Sequence, residues 1–346
     1  MEIQKVDRRF VLWAGITLIL LYLVILAGSV VRATGSGMGC PDWPRCFGYY
    51  IPPTEQSQIE FLPNHDYNKG MLIIANDTLW RAKDHFTSGA SFERVNWEKY
   101  PKHDYAEFNA AQTWTEYINR LCGALSGLAS LIMLFFAFRR WKEDKLSLGL
   151  AVLHLIVIGY VAWLGKTVVD SNLNPWVITQ HMLCALIMVF LVSIIRYRTK
   201  SMAGVFERVE VTGKMRALLI FSLVFTLAQI VMGTQVRQEV DVLIKTSEDT
   251  TRQTWIELLS GKYILHFTVA MVLALMNIYI WLKLRKQFNI PQAKVVLNAS
   301  LFIVLITYGA GVLMHRFAIP AMVQPMHLFC AMVLAGVQFG LILRTR

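Results

Sequence analysis

Eight stretches of the chain are dominated by apolar residues, at 10–31, 114–137, 148–166, 177–195, 216–236, 262–282, 296–314 and 325–343. Each comes close to or exceeds the roughly 20 residues that a helix needs to cross a bilayer. Between them the pattern turns polar and charged within a few residues. Each stretch is therefore predicted to be a transmembrane helix, because a helix satisfies its backbone polar groups within one segment. The predicted fold is all-α, a polytopic membrane protein of eight spans. The first stretch is too long, and too lightly flanked by small residues, for a cleaved signal peptide, and it counts as a span. Only residues 33–113 remain for a sizeable segment outside the membrane.

The pattern also repeats. GSVVR (28–32) ends span 1 as GTQVR (233–237) ends span 5, and HMLCA (181–185) in span 4 matches HLFCA (327–331) in span 8. Span 3 ends near Gly159 and Lys166, and span 7 near Gly309 and Arg316. The offset is 205 residues at Arg32 and Arg237 but 146 at His181 and His327 and 147 at Asn119 and His266, so loop 1 holds an insertion of about 58 residues. Four spans per half, both halves entering from one side, predict two pseudo-symmetric four-helix bundles with equivalent sites. Residues 1–200 form the N-terminal half and carry the loop at 33–113; residues 201–346 form the C-terminal half.

Composition adds an orientation. The chain is 55% hydrophobic and 16% charged, with a net charge of +11. Its basic residues gather at Lys5, Arg8 and Arg9, in RRWKEDK (139–145), from Arg196 to Arg216, in KLRK (283–286) with Lys294, and at Arg344 and Arg346. The loops at 167–176 and 315–324 carry almost none. Lys and Arg are retained on the cytoplasmic side, so both termini are expected there. The positive charge is thus a topological signal and does not argue for nucleic acid.

Candidate chemistry sits near the opposite, outer ends of the spans. His181, His266 and His327 each lie within about two turns of such an end. Taken singly, each reads as a hydrogen-bonded structural residue. As repeat equivalents they read differently: His266 and His327, on two helices at similar depth, supply the facing imidazoles of a six-coordinate haem iron. The corresponding pair in the first half is Asn119 and His181, and asparagine is a poor ligand for iron. Glu116 lies one turn before Asn119 on the same face, as a proton-handling carboxylate or as a helix N-terminal charge. Arg32 and Arg237 are suited either to charge-assisted pairing with porphyrin propionates or to snorkelling at the interface. His154 and His315 read as structural or propionate-contacting, and His65, His85 and His103 as solvated loop residues. Cys122, Cys184 and Cys330 lie in apolar helix and behave as small hydrophobes. Cys40 and Cys46, in GCPDWPRCFG, are expected to close a disulfide in the outer compartment, with two unpaired thiols or a metal site as the alternatives.

VVRATGSGMGCPDWPRCFG (30–48), EYINRLCGAL (116–125), TQHMLCA (179–185), YILHF (263–267) and QPMHLFCA (324–331) together resemble the motifs of the haem A synthase family. The likeness covers all eight spans and leaves loop 1 beyond residue 50 outside it. It implies an integral protein of a bacterial-type plasma membrane that oxidises a methyl group of haem O to the formyl group of haem A by successive hydroxylations. By the same likeness His266 and His327 ligate a haem b cofactor. His181 holds the substrate haem, Glu116 is the catalytic acidic residue, and Cys40 and Cys46 match an outer-loop disulfide; Asn119 and Arg32 beside the substrate haem, and Arg237 at a cofactor propionate, are assigned from their repeat positions and not from the likeness. Haem O synthase and a second copy of the chain are among the partners it allows; the electron donor is not legible. Asn119 departs from the family's Glu-x-x-His motif. Ligation by His181 alone suits a substrate that must enter, react and leave, whereas two imidazoles suit a resident group. A diheme electron carrier, the rival reading, requires four good ligands; a transporter requires polar groups at the midplane.

Overall fold

The computed structural model describes residues 8–100, 108–171, 173–204, 208–246, 255–288 and 290–346, so that Lys5 and His103 lie outside the described residues. The eight apolar stretches are all helical: α1 (Arg8–Ala33), α2 (Ala110–Arg139), α3 (Lys145–Asp170), α4 (Pro175–Met202), α5 (Gly213–Thr246), α7 (Gly261–Leu284), α8 (Pro291–Arg316) and α9 (Val323–Leu343), with a one-turn helix α6 (Trp255–Leu258) ahead of α7. Among the described residues these eight long helices have apolar windows of mean hydropathy 1.9 to 2.7. They overrun the apolar stretches at most ends, and at four N-termini a side-chain cap accompanies the extension into the polar turn. Asn109, Asp144, Asn174 and Ser260 each accept a hydrogen bond from a first-turn N–H, which satisfies donors that the helix itself leaves open. Pro175 and Pro291 occupy first-turn positions, where a missing N–H costs nothing.

Helices α1 to α4 pack as a ring, α1 against α2 and α4, and α3 against both α2 and α4. The second ring repeats this order: α5 packs on α7 and α9, and α8 on α7 and α9. The rings join through α1 with α9, α4 with α9, and α4 with α5. Helices α3 and α8 are both 26 residues long and start at Lys145 and Pro291. That offset aligns Gly165 with Gly311 and corrects the pairing of Gly159 with Gly309. Large side chains such as Ile19, Phe138, Ile156 and Phe302 point outward, whereas Ser130, His154, Ser222, Asn277 and Gln338 are buried. This inversion is what lipid demands, since apolar side chains face hydrocarbon and polar ones must find partners inside. With eight spans, both described termini lie at one end of the helices, and the long loop caps the other.

The long loop adds β-structure to an otherwise helical chain. Strands β1 (Asp66–Tyr67) and β4 (Phe86–Thr87) pair antiparallel, and β2 (Leu72–Ala75), β3 (Thr78–Ala82) and β5 (Trp97–Lys99) form a second antiparallel sheet in the order β2-β3-β5. Asn76 and Asp77, both with positive φ, close the β2–β3 hairpin, the two-residue turn that matches strand twist. Tyr67, Phe86, Phe92 and Trp97 pack together beneath the strands. His65 meets Tyr67 edge-on at 4.8 Å and is half-buried at the margin of this packing, whereas His85 is exposed.

Candidate functional site

Four side chains occupy equivalent places in the two rings, and each faces a glycine on the preceding long helix. Gly28 on α1 faces Asn119 on α2, Gly165 on α3 faces His181 on α4, Gly233 on α5 faces His266 on α7, and Gly311 on α8 faces His327 on α9. A Cβ at Gly165, Gly233 or Gly311 would lie 3.4, 3.3 or 3.4 Å from the imidazole Cε1. The absent side chain is what lets each ring lie close against the neighbouring helix. Sequence analysis missed this glycine set, although the repeat register carried the signal for it.

In the second ring His266 and His327 have centroids 6.3 Å apart and planes at 70°. Two imidazoles sharing one metal, each nitrogen about 2 Å from it, would have centroids roughly 6 Å apart. Nδ1 of His327 lies 2.9 Å from the Thr307 carbonyl oxygen. A proton held there leaves Nε2 with a free lone pair, the usual orientation of a ligating histidine. Nδ1 of His266 is buried without a hydrogen-bond partner. In the first ring the carbonyl of Val161, the counterpart of Thr307, faces His181 without closing a full hydrogen bond, and Asn119 Oδ1 is likewise buried and unpartnered. These orphaned polar atoms and the glycine cradles fit a porphyrin bound in each ring: His266 and His327 would hold the iron of one, His181 that of the other.

Glu116 is buried, and both its oxygens are engaged. One accepts from the Cys40 N–H at 2.9 Å, the other from Arg120 at 2.5 Å. Arg120 also donates to the carbonyls of Asp42 (2.8 Å), Arg45 (2.9 Å) and Cys40 (3.2 Å). Cys40 and Cys46 form a disulfide. Thr113 donates to the Gly39 carbonyl at 2.8 Å, and a Cβ at Gly39 would lie 2.6 Å from the Gln112 backbone, so only glycine permits this approach. Burial lifts the Asp42 carboxyl above the usual carboxylate range, against the Gly48 and Phe47 N–H groups that donate to it. The disulfide loop is thus strapped onto α2 one turn from Asn119.

Arg32 and Arg237 come together at the loop end, where Asp241 binds both. His315 accepts or donates a 2.6 Å hydrogen bond with Tyr263, one turn from His266. His154 lies deep between α2 and α3, bonded to Ser130 at 2.9 Å, and does not join either site.

A duplicated eight-helix membrane protein with a histidine-lined site in each four-helix ring is the class that fold and geometry define. The chain belongs to the cytochrome oxidase assembly protein family COX15-CtaA, whose model matches residues 11–73 and 70–339 and therefore runs through loop 1 beyond residue 50. Over 218 residues it is 27% identical to the heme A synthase of Shewanella oneidensis, covering 63% of this chain and 54% of that protein. With the heme A synthase of Bartonella tribocorum it shares 26% identity over 202 residues, 55% of this chain and 49% of the relative. With that of Nitrosomonas eutropha it shares 30% over 184 residues, 50% and 42% of the two chains. The chain thus spans about half the length of the curated relatives that it matches.

Proposed function

We propose that this protein is a haem A synthase, oxidising a methyl group of haem O to a formyl group by two successive hydroxylations, with a haem b cofactor in the C-terminal half. The observation that carries the reading is the unequal pair of sites: two histidines face each other at 6.3 Å in one ring, while the other offers His181 and a non-ligating Asn119. A bound haem b supplies one-electron relay. His266 and His327 would hold that haem from two helices, leaving its iron no place for exchange. His181 alone would hold the substrate, and Asn119 offers a buried amide that does not ligate iron. On this reading residues 1–200 form the substrate half and residues 201–346 the cofactor half, and both termini face the cytoplasm, which puts the sites near the outer face.

Glu116 handles protons in the substrate half. It is one turn from Asn119, and its bonds to Arg120 and Cys40 make its availability depend on the seating of the disulfide loop. Glu116→Gln keeps the size and an acceptor for the Cys40 N–H but cannot exchange a proton. Product formation is expected to fall by about 10²-fold, with cofactor haem retained. Near wild-type turnover would remove Glu116 from the chemistry. The function itself is tested by extracting haems from membranes that contain the protein and a supply of haem O. Chromatography should then reveal haem A. Two haems per chain without any haem A would support the diheme carrier instead.

A further inference from the structure

Each guanidinium at the loop end stands one turn beyond the cradle glycine of its own helix, Arg32 after Gly28 and Arg237 after Gly233. That places both above the porphyrin sites, on the faces that line them. The two belong to different rings, yet one carboxylate serves both: Asp241 Oδ1 lies 2.8 Å from Arg237 and Oδ2 lies 3.4 Å from Arg32. The two contacts are not equal. Arg237 is also tied to Gln324, three residues before His327, whereas the position equivalent to Gln324 in the first half is Ile178. Arg32 thus has the longer bond to the shared carboxylate. Nε of Arg237 is buried without a partner, leaving it a donor for one more acceptor. The offset that superposes Arg32 on Arg237 places Ser36 opposite Asp241, so the carboxylate has no copy in the first half.

We propose that Asp241 is a shared counter-ion that couples the two sites. This rests on the haem reading above. Two guanidiniums and one carboxylate carry a net single positive charge, which accommodates one further carboxylate. A propionate from each half would set three carboxylates against two guanidiniums. A propionate in the C-terminal half takes Arg237 from Asp241 Oδ1, and Asp241 then turns wholly to Arg32 and competes with any propionate arriving in the N-terminal half. Loading one site therefore weakens the other, and linkage makes the effect reciprocal. The travelling substrate is the one held more loosely, because Arg32 lacks the second tether.

The test is a titration of the purified full chain with haem and with its dimethyl ester, which lacks the carboxylates. In wild type the second equivalent of haem should bind more weakly than the first. Asp241→Asn, and Asp241→Ser with the residue of the equivalent position, should tighten the second equivalent by about tenfold, within the usual range of coupling between sites. Neither should alter binding of the ester. A gain in affinity cannot come from a damaged fold. Unchanged or weakened haem binding in both variants, an equal shift with the ester, or failure of both variants to fold would overturn the coupling and leave the haem reading standing. No uptake of either porphyrin by wild type would overturn the haem reading and this inference with it.

Discussion

Asn119 and His266 stand at equivalent positions and differ in one respect that matters, the capacity to bind iron. The histidines were legible because an ionisable ring in an apolar segment is conspicuous and the repeat put two of them at one depth. The partners of Glu116 were not. Arg120 lies one turn away and was visible in principle, but the Cys40 N–H comes from a loop 76 residues distant, and no local pattern encodes that return. Gly165 and Gly311 escaped notice for a related reason, since a residue without a side chain leaves no trace in a hydropathy pattern. The residue-scale prediction concerns Asn119→His. Asn119 faces Gly28 as the three histidines face their glycines, so a ring at 119 meets the same small neighbour. The variant should fold, shift the N-terminal-half haem toward low spin and leave turnover equal or lower. An unaltered spectrum would mean that position 119 does not face the iron.

Helices were legible as elements, since length and apolarity decide them, while their ends ran on into polar residues that apolarity does not mark. The strands of the loop were short enough to be hidden in a segment read only as a long connection. Two predictions belong at this scale. Gly233→Ala or Gly311→Ala places a methyl 3.3 or 3.4 Å from an imidazole, tilting the ring away from the orientation in which it would hold iron. Haem retention in the C-terminal half should weaken by about tenfold, the order seen when support around a metal ligand is lost. Gly159→Ala, whose Cβ meets nothing within 4 Å, should leave it unchanged. The second prediction concerns Asp144, which caps α3 and bonds Arg198 of α4 at 2.8 Å. Burial works to raise its carboxyl, yet the bonds from Ser147 and Arg198 outweigh burial and hold it below the usual range. Its stabilisation is therefore present above the ordinary carboxylate pKa and is lost as pH falls through the depressed value. Asp144→Asn retains a capping oxygen but loses the charge and the acceptor for the Ser147 hydroxyl. It should be about 1 kcal/mol less stable near neutral pH, allowing for solvent screening at Arg198, and the gap should close on acidification. A constant gap across pH would assign the effect to packing.

The whole molecule is a duplication made unequal. Two rings of four helices share a packing order, a glycine facing Asn119, His181, His266 or His327, and an arginine one turn beyond the glycine of α1 and of α5. Histidine is replaced by asparagine at one of the four positions, and a β-containing loop is strapped over that same half. The central claim is that this inequality separates a resident site from a substrate site, and electron paramagnetic resonance of the purified protein loaded with haem at both sites tests it most directly. The account predicts one low-spin signal, lost in His266→Ala and in His327→Ala, and one high-spin signal, lost in His181→Ala. Two low-spin signals in the wild type, or a low-spin signal that survives replacement of both His266 and His327, would contradict it.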